Sequence, residues 1–228
     1  MNNSLVDRIK GNFLFVFLSV ISATCRFEIS GIDNLHQALE SGKPLIGTSW
    51  HGMTMMVIGS LRKLIDLDSV VTIIPDDYRG DILEIFANKI GIYPEKLNLD
   101  GDNSMEMSRK LVRIIRQISS GRNSLIHPDG PTGPAYTVKP GLTAIAQKTG
   151  ALIMPMGGYC RHAYHWARWD RYTWPLPFSK VQLYVGKPFT ISRDNQNISL
   201  QNQELETTLN RAAFQAAADY YEIGRERH

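Results

Sequence analysis

Two short segments of this chain carry side chains able to move a proton. One is Thr48-Ser49-Trp50-His51-Gly52; the other is Ile126-His127-Pro128-Asp129-Gly130-Pro131-Thr132-Gly133-Pro134. An imidazole can take a proton from an attacking hydroxyl near neutral pH. In the second segment an acid sits among prolines, which fix φ, and glycines, which reach conformations other residues avoid. Such a turn is rigid, and rigidity matters where a carboxylate must be aimed. Alone, an Asp-Gly-Pro reads as a surface turn, and a His beside a Trp reads as structural. The pair argues for chemistry, because each segment follows a short apolar run.

Those runs imply the elements that would position the two groups. Pro44–Trp50 reads as a buried strand, followed by a helix over His51–Leu64. Further strands are expected at Cys25–Ile29, Val70–Pro75, Ser124–His127, Leu152–Met156 and Val181–Val185. Helices are expected at Asp81–Ile90, Met105–Ile118, Gly141–Thr149 and Ser199–Ile223, the last with Leu205, Leu209, Phe214 and Tyr220 inward. Alternation of strands and helices implies an α/β fold: a mainly parallel central sheet flanked by helices. In such sheets, sites gather beyond the carboxyl ends of strands, where both His51 and Asp129 fall. A helix starting at His51 would disfavour a cation there through its dipole. Its free N–H groups could also hold a phosphate or an oxyanion.

Composition bounds the remaining possibilities. At 228 residues, 43% hydrophobic and 21% charged, the chain can bury one sizeable core. A net charge of +3, with no basic run and no zinc-finger spacing, argues against nucleic acid. The small positive excess suits an anionic membrane surface. Cys25 and Cys160 make no disulfide framework. Near the start, Phe13–Ala23 is almost continuously apolar, with Arg8 and Lys10 before it and Arg26 after it. It would reach only about 17 Å against a hydrocarbon core of about 30 Å. A signal peptide and a buried core helix are both open; a helix dipping into one leaflet is preferred.

With both motifs at strand ends, the chain resembles the glycerolipid and lysophospholipid acyltransferase superfamily, and most of all a poorly characterised bacterial branch. The likeness runs from about Phe27 to Ile191. It rests on Trp50-His51-Gly52, on Pro128 to Ala146 with Tyr136, Lys139, Pro140 and Gly141, on Met154-Pro155-Met156, on Trp169-Asp170-Arg171 and on Pro177-Phe178-Ser179-Lys180. The apolar run itself is read as a membrane-associating helix over residues 1–25, and the resemblance implies one acyltransferase-like domain over 26–228. It implies transfer of a fatty acyl group from a thioester, acyl-CoA or acyl carrier protein, to a hydroxyl of a lysolipid or related lipid, with no cofactor. That activity belongs to phospholipid biosynthesis at the cytoplasmic face of a bacterial inner membrane. His51 would be the general base and Asp129 its partner. Gly52, Gly130, Pro131, Thr132, Gly133, Lys139 and Arg79 would bind substrate.

The chain departs from the superfamily pattern in three places. The acid expected five residues after the histidine is Met56, so the orienting acid must come from elsewhere: Asp129 first, then Asp76, Asp77 or Asp81. An arginine often found between Pro131 and Gly133 is Thr132, which leaves Lys139 or Arg79 to meet a phosphate. A Gly/Ser-rich phosphate segment is replaced by the acidic Leu99-Asp100-Gly101-Asp102-Asn103.

Other features are compatible with more than one role. The aromatic residues Tyr159, Tyr164, Trp166, Trp169, Tyr172, Trp174 and Phe178, interleaved with Arg161, Arg168 and Arg171, suit either a lipid headgroup boundary or a packed loop. Cys160, His162 and His165 lack a fourth ligand for zinc. Met53, Met55 and Met56 could fill core or line a flexible acyl channel. A non-catalytic lipid-binding protein is the main alternative, and a hydrolase or acyl-enzyme using Cys160 comes behind it.

Overall fold

The computed structural model describes residues 4–98, 105–192 and 197–222. In chain order the elements are α1 (Leu5–Thr24), β1 (Arg26–Ser30), α2 (Ile32–Glu40), β2 (Leu45–Thr48), α3 (Thr54–Leu61), β3 (Val71–Pro75), α4 (Tyr78–Ile90) and β4 (Tyr93–Leu97). There follow α5 (Met105–Ser119), β5 (Ser124–Ile126), α6 (Pro140–Thr149), β6 (Leu152–Tyr159), β7 (Ala163–His165), β8 (Thr173–Pro175), β9 (Lys180–Val185) and α7 (Ile198–Glu222). Seven strands form one sheet in the order β1-β9-β6-β2-β5-β3-β4. Every neighbouring pair is parallel except β6 and β9. The architecture is mixed α/β with a mainly parallel central sheet flanked by helices.

Adjacent strand residues face opposite layers, as the period of a β-strand requires. Leu45, Leu125 and Met154 join Leu18, Leu35, Val57 and Phe86 on one side. Ile46, Ile126 and Ile153 join Ile114, Ile145, Leu205 and Leu209 on the other. Helices α1–α4 thus cover one face and α5–α7 the other. Strands buried on both faces read as continuous apolar runs, which is why β2 and β3 are legible in the sequence.

Several expectations require correction. No helix was expected at α2; it starts at Gly31 in the left-handed region with no side-chain cap, so its start carries no sequence signal. Strand β4 is hidden by Pro94, Glu95 and Lys96. Proline is tolerated there because β4 is the sheet edge. The helix expected from His51 is a 3-10 turn over His51–Met53, with α3 beginning at Thr54 and ending at Leu61. A three-residue turn cannot carry the dipole of a full helix, so that argument about His51 lapses. Phe214 points outward at 74% exposure, whereas Leu205, Leu209, Ala212, Ala216 and Asp219 form the buried stripe of α7. Nine residues past Leu205 is about two and a half helical turns, which is the opposite face.

Helix α1 begins at a capping box in which Ser4 and Asp7 each accept the other's backbone N–H. Among the described residues no helix is long and apolar enough to cross a membrane. The acidic segment 99–103 and the expected last residue of α7 lie outside the described residues.

Candidate active site

Strands β2 and β5 are paired so that Thr48 lies beside Ile126. Their carboxyl ends therefore deliver His51 and the 127–134 turn to one place. Trp50 is fully enclosed; its indole N–H donates to Asn210 Oδ1 at 3.1 Å, and its ring meets Tyr136 edge-on at 5.5 Å. The hydrogen bond to Asn210 ties the end of β2 to α7.

Asp129 does not hold the imidazole. Its buried carboxylate accepts the backbone N–H of His51, at 3.2 Å to Oδ1 and 3.3 Å to Oδ2. The expectation that Asp129 orients the ring is corrected on this point: the acid fixes the main chain of the histidine. Burial pushes its carboxyl up to about 6, although the His51 charge and backbone N–H pull the other way.

The ring is held by Asp170. His51 Nδ1–H donates to Asp170 Oδ2 at 2.8 Å, and the Asp170 side chain is 0% exposed. Arg168 Nη2 stands 3.4 Å from the same oxygen, while Tyr172 N–H donates to Oδ1 at 3.3 Å. Burial alone would raise the Asp170 carboxyl. The His51 hydrogen bond and the Arg168 charge outweigh it and hold the group below the usual carboxylate range. A carboxylate that accepts Nδ1–H leaves the lone pair of Nε2 available, which is the geometry of a general base.

Two glycines seat the loop that carries Asp170. A Cβ on Gly52 would fall 2.1 Å from the Asp170 carbonyl oxygen, and one on Gly133 would fall 2.6 Å from the Trp169 ring. Gly133 also has φ 76°, a region that favours glycine. The glycines of both motifs therefore make room for the 168–172 loop. Around the imidazole stand the rings of His127 at 5.3 Å, Trp169 at 5.6 Å and Tyr172 at 5.7 Å. His127 Nδ1–H donates to the Ser49 carbonyl at 3.0 Å, and its Nε2 lies 3.1 Å from Thr54 Oγ1, which itself donates to the His51 carbonyl at 2.6 Å. Burial, then the nearby His51 charge, pushes His127 down to about 3, so it stays neutral.

A cleft of about 240 Å³ opens on the Asp170 side of the pair, lined by Trp50, Gly52, Met53, Met56, Asp170 and Arg171 among others; His51 itself is flanked by its lining neighbours Trp50 and Gly52. Met56, where an acid was expected from the resemblance, is buried and lines the cleft. The other acids weighed as partners are engaged elsewhere. Asp76 pairs with Lys110 at 2.5 Å, Asp77 with Arg79 at 2.6 Å, and Asp81 with Lys96 at 2.7 Å.

Of the expected substrate contacts, Arg79 sits in the first turn of α4, where Asp77 accepts its backbone and guanidinium N–H groups. Lys139, the residue that precedes α6, reaches back so that its Nζ lies 3.4 Å from Thr132 Oγ1 and close over Gly130, on the turn that also holds Pro131. Cys160 lines the cleft, but burial pushes its thiol up to about 11, away from the nucleophilic thiolate. Among the described residues no group of three His, Cys, Asp or Glu could hold a metal ion.

Asp170 is the site residue that sequence reasoning did not assign. It was visible within Trp169-Asp170-Arg171, but nothing in a string of letters brings it to a histidine 119 residues away.

No protein-family model matches the chain. It is 25% identical over 193 residues to the uncharacterized protein RP090 of Rickettsia prowazekii, an alignment spanning 83% of this chain and 85% of that protein. Its structure superposes on that of the 1-acyl-sn-glycerophosphate (LPA) acyltransferase PlsC from Thermotoga maritima with a TM-score of 0.57 and 16% identity, covering 93% of this chain and 78% of the enzyme. At that identity the likeness speaks for the architecture: this chain has an acyltransferase-like fold.

Proposed function

We propose that the protein is an O-acyltransferase that moves a fatty acyl group from a thioester donor to a hydroxyl of a lysolipid or related lipid. The observation that carries this reading is the His51–Asp170 hydrogen bond of 2.8 Å at the strand ends of an acyltransferase-like fold, beside a cleft. In the reaction, the acceptor hydroxyl gives its proton to His51 Nε2 as its oxygen attacks the thioester carbonyl. The tetrahedral intermediate then collapses, the carbon–sulfur bond breaks, and the thiolate takes the proton back from the imidazolium. Asp170 stabilises that imidazolium through Nδ1–H. General-base help of this kind is worth ~10²–10⁴-fold.

Asp129 and Gly52 act by position: the first anchors the His51 backbone, and the second lets the Asp170 loop approach. Arg161 and Arg171 line the cleft, which makes them better placed than Arg79 to meet an anionic acceptor. Lys139 and the 130–133 turn remain proposed acceptor contacts. We place the protein at the cytoplasmic face of the membrane, associated through α1. A purely lipid-binding role drew its support from the missing acid at Met56, and Asp170 removes that support.

The test is incubation of purified protein with acyl-CoA or acyl carrier protein thioesters and a panel of lysolipids, with product read by mass spectrometry. Acylated product lost in His51→Ala is the expected result. Product formation unchanged in that variant refutes the mechanism.

A further inference from the structure

Helix α1 has two apolar faces. Leu18 and Ile21 are buried in the core, while Leu5, Val6, Ile9, Phe13, Val16 and Val20 are exposed. Steps of three and four residues put these six on one stripe. Arg8 and Lys10 lie to either side of it.

The helix also packs against the β7–β8 hairpin, which forms its own two-stranded sheet. Phe13, 63% exposed, has its ring 6.4 Å from that of Phe17, which in turn packs 4.6 Å from Trp174 of β8. Beyond α1, Cys25 Sγ donates to the Leu176 carbonyl at 3.2 Å, which fixes the turn after β8 against the end of the helix. That turn exposes Leu176 and Phe178, and the hairpin exposes Tyr164 and Trp166. Phe178 is 83% exposed and holds φ at 66°. A phenylalanine in the left-handed region is strained, and an exposed ring gains nothing from the core, so folding alone does not account for it.

The same hairpin bounds the cleft. Arg161, His165, Arg171 and Thr173 line it, and Asp170 lies in the loop joining β7 to β8. We infer that the hairpin edge and the Leu176–Phe178 turn form, together with α1, one docking face for an anionic phospholipid bilayer, set so that the cleft mouth opens toward the lipid. Apolar and aromatic side chains next to arginines match an acyl and headgroup boundary. The flanking cations, Arg8, Lys10, Arg161 and Arg171, select a negative surface. A lysolipid would then pass from the bilayer to His51 without crossing water. This deepens the acyltransferase reading, but its test needs no turnover.

Flotation of the full chain with phosphatidylglycerol and with phosphatidylcholine vesicles is the measurement. Wild type is expected to bind phosphatidylglycerol at least tenfold more tightly, with a blue shift of tryptophan emission on binding. Phe178→Gly relieves the positive φ, so it is expected to melt no lower than wild type while losing affinity severalfold. Leu176→Ser/Phe178→Ser should lose at least tenfold. Wild-type affinity in both variants overturns the inference, as does equal binding to the two lipids. A dimer in solution that the double variant splits also overturns it, because the face would then cover a second copy. Vesicle binding that survives in a protein with no acyl transfer would leave this inference standing and remove the enzymatic one.

Discussion

Replacing Asp170 with asparagine changes one buried charge and almost no volume. In the transition state His51 becomes an imidazolium beside that carboxylate. Two unit charges ~4 Å apart at an effective dielectric of ~20 attract by about 4 kcal/mol, or roughly three powers of ten in rate. The hydrogen-bond pattern makes the substitution worse than neutralisation alone. Tyr172 N–H needs an acceptor at the Oδ1 position, so the amide oxygen of the substituted side chain would stay there. The NH₂ group would then face both His51 Nδ1 and Arg168, whose Nη2 now stands 3.4 Å from Oδ2. An NH₂ donor opposite Nδ1 favours the tautomer with the proton on Nε2, where a base cannot accept one. We expect kcat to fall about 10³-fold, with KM changed little because the side chain keeps its shape. The assay is thiol release from an acyl thioester in the presence of an acceptor that wild type acylates. Asp170→Asn retaining more than about a tenth of wild-type kcat, while Asp129→Asn abolishes it, would refute the assignment of the orienting acid.

Gly52→Ala should lower activity as much as Asp170→Asn without touching a titratable group, because the new Cβ, 2.1 Å from the Asp170 carbonyl oxygen, must displace the loop; an activity within twofold of wild type counts against the close approach. Acid should weaken the fold through His127, whose folded value of about 3 lies below its ordinary 6.5. The unfolded chain takes up a proton below about pH 6.5 that the folded one refuses, so stability is full above that pH and is lost as pH falls toward about 3, by at most roughly 5 kcal/mol. Asp129, raised to about 6, partly offsets this between the ordinary carboxylate value and pH 6. Denaturant midpoints at pH 7 and pH 5 should therefore differ more in wild type than in His127→Gln, and equal slopes would sink the reasoning. In α7, Leu209→Ala should cost about 2–5 kcal/mol and Phe214→Ser less than about 0.5 kcal/mol, measured by urea unfolding; a large loss at Phe214 would contradict its outward position.

The elements legible in the letters were those whose burial is symmetrical or periodic. Strands β2, β3 and β5 are short apolar runs because both faces are covered. Helix α5 shows its stripe through Leu111, Ile114, Ile115 and Ile118. Pro94 concealed β4, since an edge strand needs only one row of hydrogen bonds and tolerates a residue that a central strand excludes. Phe214 misled because size suggested burial where phase along the helix decides it.

For the site, the letters were enough to bring His51 and Asp129 to neighbouring strand ends, because parallel strands deliver successive loops to one edge of a sheet. They also marked Gly52 and Gly133, but as expected substrate contacts, whereas their lack of a Cβ makes room for the Asp170 carbonyl and the Trp169 ring. Tertiary structure alone decided which carboxylate meets which nitrogen: Asp129 the backbone N–H, Asp170 the ring. A motif records local conformation, whereas a hydrogen bond between residues 119 positions apart depends on how closely two loops can pack. Here that closeness comes from two missing Cβ atoms.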